Sequence, residues 1–347
     1  MSGKVIQIAA QANHSLALLD DGTVKGWGED KYGQITIPDF GKSKVTQIAA
    51  GIFHTLALLD DGTVCGWGGG PNTSGATTAP DFSEAGIKVR QIAAGRSHSL
   101  ALLDDGTVCG WGANKYGQAE SQYFLAEGKK VIQISTRDSH SLALLDDGTV
   151  RGWGQNIYKQ RNIPDFKGKS VKQIEAGYYH SLALLDDGTV IEWGTSDPDH
   201  TKIPDFSAAG KKVKQITAGS LHSLALLEDG TVCGWGDETQ DRLIIPDFST
   251  DGKRVIQIAC GNSHSLALLD DGTVIGWGAN DKGQSKSQSF LLTNVPKIPI
   301  KNLPEPPLLS ISIMPSLRNN QEPGIYGGYK DKYLKYKKKY LQLKNDN

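Results

Sequence analysis

HSLALLDDGTVKGWG, residues 14–28, alternates large and small side chains over six positions, turns on Asp-Asp-Gly, and continues into a second short run ending in Gly-Trp-Gly. Runs of this length, rich in Leu, Val, Thr and Trp and broken by Asp-Gly, are strands joined in a hairpin. Gly and Asp supply the positive φ that a tight turn needs. The stretch returns at His54, His98, His140, His180, His222 and His264, with Thr55 the one departure from His-Ser and Glu228 replacing the first aspartate in the sixth copy. The tryptophan follows the histidine by 13 residues every time, and successive tryptophans are 40, 44, 42, 40, 42 and 42 residues apart.

Two further elements complete each copy. Upstream lies V-x-Q-I, at Val5, Val45, Val89, Val131, Val171, Val213 and Val255; downstream a segment ends at Phe40, Phe82, Phe124, Phe166, Phe206, Phe248 or Phe290, usually as I-P-D-F. Within the second element Leu16 and Leu18 point one way, Ser15 and Ala17 the other, and neither face is charged. Such a strand belongs in a sheet covered on both sides, the bulky face of one sheet on the small face of the next. Gly26 and Gly28 leave room for a neighbour's large side chain. Four short strands per unit and seven units predict an all-β, seven-bladed β-propeller with four-stranded blades over residues 1–291. An open solenoid needs polar capping repeats. The first and last copies are as apolar as the middle ones, which favours a closed ring and a monomer. Whether the segment ending at Phe290 completes the last blade or crosses to the first is open at this stage.

The bulk composition is that of a globular chain: 38% hydrophobic, 22% charged, 41 glycines among 347 residues, net charge −1. That charge excludes a propeller that acts as a whole as a basic glove for nucleic acid. No basic-then-apolar leader and no run of membrane-spanning length is present, so an intracellular protein of cytoplasm or nucleus is expected. Cys65, Cys109 and Cys233 share a repeat position with Lys25, Arg151, Ile191 and Ile275, and Cys260 replaces an alanine. A position so permissive is reserved neither for metal nor for a disulfide.

The run V-x-Q-I-A-A-G-x-x-H-S-L-A-L, followed by D-G-T-V-x-G-W-G, resembles the regulator of chromosome condensation repeat. The link W-G-x-N-x-x-G-Q of that family survives as WGEDKYGQ (27–34), WGANKYGQ (111–118) and WGANDKGQ (277–284). The resemblance covers residues 4 to 291. It implies a propeller whose founding relative exchanges guanine nucleotide on the small GTPase Ran and docks on chromatin; other relatives are interaction modules. That relative carries a wedge-like insertion in one blade and a basic N-terminal arm. Here blade lengths differ by only four residues and the first strand begins at Val5, so the resemblance implies the shape more firmly than the exchange activity.

The seven histidines would make a metal centre only if several converged on one point. One per blade places each in the same local setting, and a structural hydrogen bond to the loop joining the first two strands is expected instead. The acidic pairs are turn chemistry, since a hairpin tip cannot gather the six to eight oxygens that calcium takes. GGGP (68–71) has neither the following helix nor the Lys-Ser/Thr of a phosphate loop. No metal, cofactor or catalytic residue is expected. Variation between copies carries more information than their shared letters. The two residues before each histidine change most, and with the position preceding them they predict a partner-binding rim of Ile52, Phe53, Arg96, Arg137, Asp138, Tyr178, Tyr179, Leu221 and Asn262. A second variable set follows each tryptophan and is expected on the other rim or the outer edge.

Beyond the repeats, 292–323 is proline-rich and reads as a linker, and 324–347 as a short basic amphipathic helix. Tyr329, Tyr333, Tyr336, Tyr340 and Leu343 fall on one helical stripe. Residues 322–347 hold seven lysines, Lys337, Lys338 and Lys339 among them, against Glu322, Asp331 and Asp346, a net +4. Such a segment can dock on a partner or bind nucleic acid. Its K-Y-L-K-Y-K pattern is similar to C-terminal tails of proteins from large amoeba-infecting DNA viruses, which would imply an addressing tag and a place in a virion. The expected function is a non-catalytic protein-interaction scaffold, with nucleotide exchange on a Ran-like GTPase and chromatin or nucleic-acid binding through the tail as alternatives.

Overall fold

The computed structural model describes residues 3–290, apart from 71–72, 83–87, 125–126, 195–201, 207–209 and 249–251. The linker and the tail helix expected at 292–347 lie outside the described residues. Seven antiparallel sheets follow one another along the chain, each built from three consecutive strands. The first strands are Val5–Gln11, Val45–Ala50, Val89–Ala94, Val131–Thr136, Val171–Ala176, Val213–Ala218 and Val255–Cys260. The second strands begin at the histidine, or at Ser181 in blade five, and the third run from Val24, Val64, Val108, Val150, Val190, Val232 and Val274 to the Trp-Gly. In every blade the hairpin turn has the same chemistry: the second acidic residue accepts the backbone N–H of the threonine two positions on, as Asp21 does from Thr23 at 2.9 Å.

The expected fourth strand is not a strand. The segment ending in phenylalanine lies beside the third strand but pairs with it at one point only, in blades three and seven, where Gln122 bridges Val108 and Gln288 bridges Val274. The reason is a single residue. Gln122 N–H donates to Val108 O at 2.9 Å and Gln288 N–H to Val274 O at 2.8 Å. In the other five blades that position is Pro38, Pro80, Pro164, Pro204 or Pro246, which has no N–H to give. The segment approaches closely all the same. A Cβ on Gly26 would sit 2.8 Å from Ile35 Cβ, so this glycine makes room for the outer segment of its own blade rather than for the neighbouring blade.

The core lies between blades. Leu16, Leu18 and Val24 of blade one meet Val45, Ile48, Ala57, Leu59 and Trp67 of blade two, large face on small face as the alternation requires. The same set recurs at five other interfaces. The leucine two positions after each histidine is wholly buried in all seven blades, and burying such a side chain contributes about 1.5–3 kcal/mol.

Among the described residues, closure uses these contacts and no exchanged strand. Gln288 bridges its own blade's Val274, so the last segment completes blade seven, while Phe290 packs on Trp27 of blade one. Phe40 on Trp67, Phe166 on Trp193 and Phe248 on Trp277 do the same at other interfaces. The first strands line a cavity of about 220 Å³. Around it, each V-x-Q-I glutamine reaches sideways and accepts the N–H of the isoleucine in the next blade at 2.8–3.0 Å, from Gln7 to Ile48 round to Gln257 and Ile8.

Candidate functional site

The histidines form a second ring of inter-blade bonds. Nε2 of His54 lies 2.9 Å from Ser99 Oγ, His98 3.1 Å from Ser141, His140 3.0 Å from Ser181, His180 2.9 Å from Ser223, His222 2.9 Å from Ser265 and His264 2.8 Å from Ser15. His14 meets Thr55 at 3.5 Å. The role is structural, but the partner is the hydroxyl of the next blade rather than the loop of the histidine's own. The hydroxyl proton is committed: Ser15, Thr55, Ser99, Ser141 and Ser181 each donate to a backbone carbonyl of the preceding blade at 2.7–2.9 Å. The rings facing these five hydroxyls must therefore donate through Nε2–H, which leaves Nδ1 of His14, His54, His98 and His140 as a buried lone pair. In blade two that atom faces Gly51, where a Cβ would stand 2.6 Å away. A second proton would have no acceptor. Burial accordingly pushes His14 down to about 4, and His54, His98, His140 and His264 to about 3.

The two variable loop sets share one rim, contrary to the expectation that the second lies elsewhere. His14, which opens the second strand, pairs with Gly28, which closes the third. The loops flanking these residues must then leave the sheet on the same side. Glu29 N–H donates to Asn13 O at 2.9 Å, Tyr32 stacks edge-on against Phe53 at 5.5 Å, and Tyr158 lies 4.5 Å from Tyr179.

Within this rim the predicted residues divide into a surface and its support. Phe53, Tyr178, Tyr179, Leu221 and Asn262 are half-buried and Arg96 is exposed. Ile52, Arg137 and Asp138 are buried, so for these three the expectation of a solvent-facing side chain fails. Arg137, in place of the repeat's glycine, crosses from blade four and donates through Nη1 to the carbonyls of Ala218 in blade six and Cys260 in blade seven. It stoppers the loop-side end of the cavity. Its burial lowers it to about 10.

Above this stopper Arg96 of blade three donates to Asp138 of blade four at 3.3 Å and to the Tyr178 hydroxyl of blade five at 2.9 Å. Its guanidinium also lies over the Phe53 ring, 5.9 Å from the centroid. Tyr178 stacks on Tyr179 at 4.4 Å. Tyr32, Phe53, Arg96, Tyr178, Tyr179 and Tyr158 thus make one contiguous arc over blades one to five. Sequence reading placed Tyr32 and Tyr158, within the second variable set at 29–36 and 155–162, away from the residues before each histidine, and so did not join them to partners that lie 21 positions away in the next blade.

A second residue missed by sequence reading is Glu175. It occupies a position that holds alanine in blades one, two, three and seven and lines the axial cavity. Gln173 Nε2 donates to it at 3.1 Å and Ser135 Oγ at 3.4 Å. Burial pushes its carboxyl up to about 7, against the opposing effects of these donors and of Arg137. The signal was there: one acidic residue at a position otherwise Ala, Ser or Thr. Blade five carries another, Glu192 in place of glycine, which accepts the Trp235 indole N–H at 2.6 Å. All four cysteines are free thiols, and burial pushes Cys109 up to about 11 and Cys260 to about 12. Among the described residues no helix is long and apolar enough to cross a membrane.

The family model for the regulator of chromosome condensation repeat matches residues 5–34, 45–75, 89–118, 131–160, 171–197, 213–240 and 255–284. No curated protein matches the chain. Among solved structures, human WBSCR16 is 23% identical, with a TM-score of 0.63 over 78% of this chain and 87% of that one. Prp20p from Saccharomyces cerevisiae, described with its binding to Gsp1p and histones, is 22% identical, with a TM-score of 0.64 over 80% and 83%. The CRINKLY WD40 ectodomain of the Arabidopsis thaliana receptor kinase ACR4 is 20% identical, with a TM-score of 0.65 over 83% and 99%. At these identities the likeness is one of fold.

Proposed function

The chain belongs to the regulator of chromosome condensation repeat family, and within it we propose that this propeller is a protein-interaction scaffold working through the loop rim, without chemistry of its own. The observation that carries the reading is the arc from Tyr32 to Tyr158. Aromatic and arginine side chains held in a fixed arrangement are the usual anchors of protein interfaces, and these are already ordered against one another. Arg96 is held in place by Phe53, Asp138 and Tyr178, so a partner meets a preformed surface and little side-chain freedom remains to be lost on binding. Arg137 closes the axis beneath, which makes the blade three-to-five sector a continuous platform rather than the edge of a hole.

Affinity capture with the full chain tests the reading. Proteins held by the wild type and released by Phe53→Ala or Tyr179→Ala, with folding verified by circular dichroism, support it; retention by both variants sinks it. Prp20p's binding to Gsp1p makes nucleotide exchange the rival. Release of a fluorescent guanine nucleotide from a Ran-type GTPase, accelerated by catalytic amounts of the chain, would replace the scaffold reading. The tail alternative predicts nucleic-acid affinity that falls steeply with salt and vanishes on removal of 322–347.

A further inference from the structure

Charge on the loop rim is unevenly shared. In the loop tips of blades two to four the exposed cations among the described residues are Arg96, Lys115 and Lys159, against one exposed carboxylate, Glu120, which folds back beside Gly117, while Asp138 is buried beneath Arg96. Across the axis, blades six, seven and one place Asp237, Glu238, Asp241, Asp281, Glu29 and Asp30 at the equivalent tips, against Arg242, Lys282 and Lys31. Arg242 is itself buried and paired to Asp237 at 2.7 Å. The aromatic side chains follow the positive charge. Lys115 lies over Tyr116 at 5.3 Å and Arg96 over Phe53; Tyr116 and Ile157 stand exposed beside Lys115 and Lys159.

From this juxtaposition we infer that the blade two-to-five sector binds an extended, acidic protein segment carrying an aromatic or large apolar side chain. The inference rests on the rim reading above and adds the chemistry of the partner. Carboxylates would answer Arg96, Lys115 and Lys159. Arg96 spends only Nη1 on Asp138 and Tyr178, so the rest of its fork is free for an incoming carboxylate. The apolar side chain would lie between Phe53 and Tyr179. The acidic half of the rim repels the same segment and so sets its position. Single-stranded nucleic acid also combines negative charge with stacking. Among the described residues the sector's loop tips have three exposed cations, with Glu120 beside them and further carboxylates opposite, a thin basic track for a phosphate backbone, and a peptide is the better fit.

The test uses the full chain and three fluorescent, photo-crosslinkable probes: a random Glu-Tyr copolymer, a Lys-Tyr copolymer and oligothymidylate. The Glu-Tyr copolymer should bind, crosslink near residues 53, 96, 116, 158 and 179, and weaken about tenfold on Lys115→Glu with Lys159→Glu. The same change of charge placed elsewhere, Lys25→Glu with Lys282→Glu, should alter its affinity by less than about twofold. Crosslinks confined to 322–347, equal weakening by the control pair, equal binding of the Lys-Tyr copolymer, or tighter binding of oligothymidylate at this sector would each overturn the inference. Loss of captured partners on Phe53→Ala but not on the charge reversal would leave the rim reading standing and remove the acidic partner alone.

Discussion

His264 of blade seven holds its Nε2 2.8 Å from Ser15 Oγ of blade one, across 249 residues of sequence. It falls at the seam where the two ends of the ring meet. The seam therefore repeats the bond that joins the other blades.

If the seam is an ordinary interface, Ser15→Ala and Ser99→Ala should cost the same. Each removes a hydroxyl that accepts from a buried imidazole and donates to a buried carbonyl. A loss of about 1–3 kcal/mol apiece is expected in urea unfolding. A Ser15→Ala cost less than half that of Ser99→Ala would mark the seam as the weak interface.

Acid should unfold the propeller well above the carboxylate range. The folded-state values of His14, at about 4, and of His54, His98, His140 and His264, at about 3, lie below the ordinary 6.5. The unfolded chain thus takes up protons first. The stability these rings contribute is present above pH 6.5 and is lost as pH falls toward 4 and 3. By pH 5 each ring costs about 2 kcal/mol. Five together approach the whole stability of a typical domain, about 5–15 kcal/mol. Melting temperature followed from pH 8 to pH 4.5 should be flat at first and then drop steeply; a level profile to pH 4.5 would contradict the Nε2–H assignment.

Glu175→Ala should stabilise the protein at pH 8. The carboxyl is raised to about 7 from an ordinary 4.5, so its favourable protonation is complete below pH 4.5 and is lost as pH rises through 7. Removing it relieves a half-buried, poorly solvated charge at high pH, by about 1–3 kcal/mol once the lost attraction to Arg137 is counted. The gain should shrink between pH 8 and pH 6. A gain independent of pH would mean that packing, not charge, is responsible.

Gln122→Pro should be tolerated at a cost of about 1 kcal/mol. It deletes one backbone hydrogen bond, Gln122 N–H to Val108 O at 2.9 Å, and gives blade three the proline that five other blades carry. Protection from exchange of the new amide at position 38 in Pro38→Gln would be the converse sign of a fourth strand gaining its bond. A collapse of the fold in Gln122→Pro would show that the outer segment matters more than its single bridge suggests.

The blade number, the strand character of each element and the turns were legible because each is written in a contiguous stretch. Alternation of Leu with Ser and Ala decides which faces are covered, Asp-Asp-Gly-Thr carries its own turn bonds, and seven equal periods require seven equal sheets. The fourth strand was misread because its apolar pattern was weighed without the missing N–H of Pro38 and its counterparts. The histidine's partner was misread because it is supplied by the next blade, 41 to 45 residues away and 249 at the seam.

What remained for the tertiary structure is whatever depends on residues from different blades meeting. Sequence variability marked Ile52, Arg137 and Asp138 alongside Phe53, Arg96 and Tyr179, and could not separate the buried from the exposed. Only the assembled ring brings Arg137 to the carbonyls of Ala218 and Cys260, or Arg96 to Tyr178, 82 positions away. The local alternation specifies the blade; the surface it presents is set by packing seven of them about one axis, where side chains distant in sequence compete for the same space and the same hydrogen bonds.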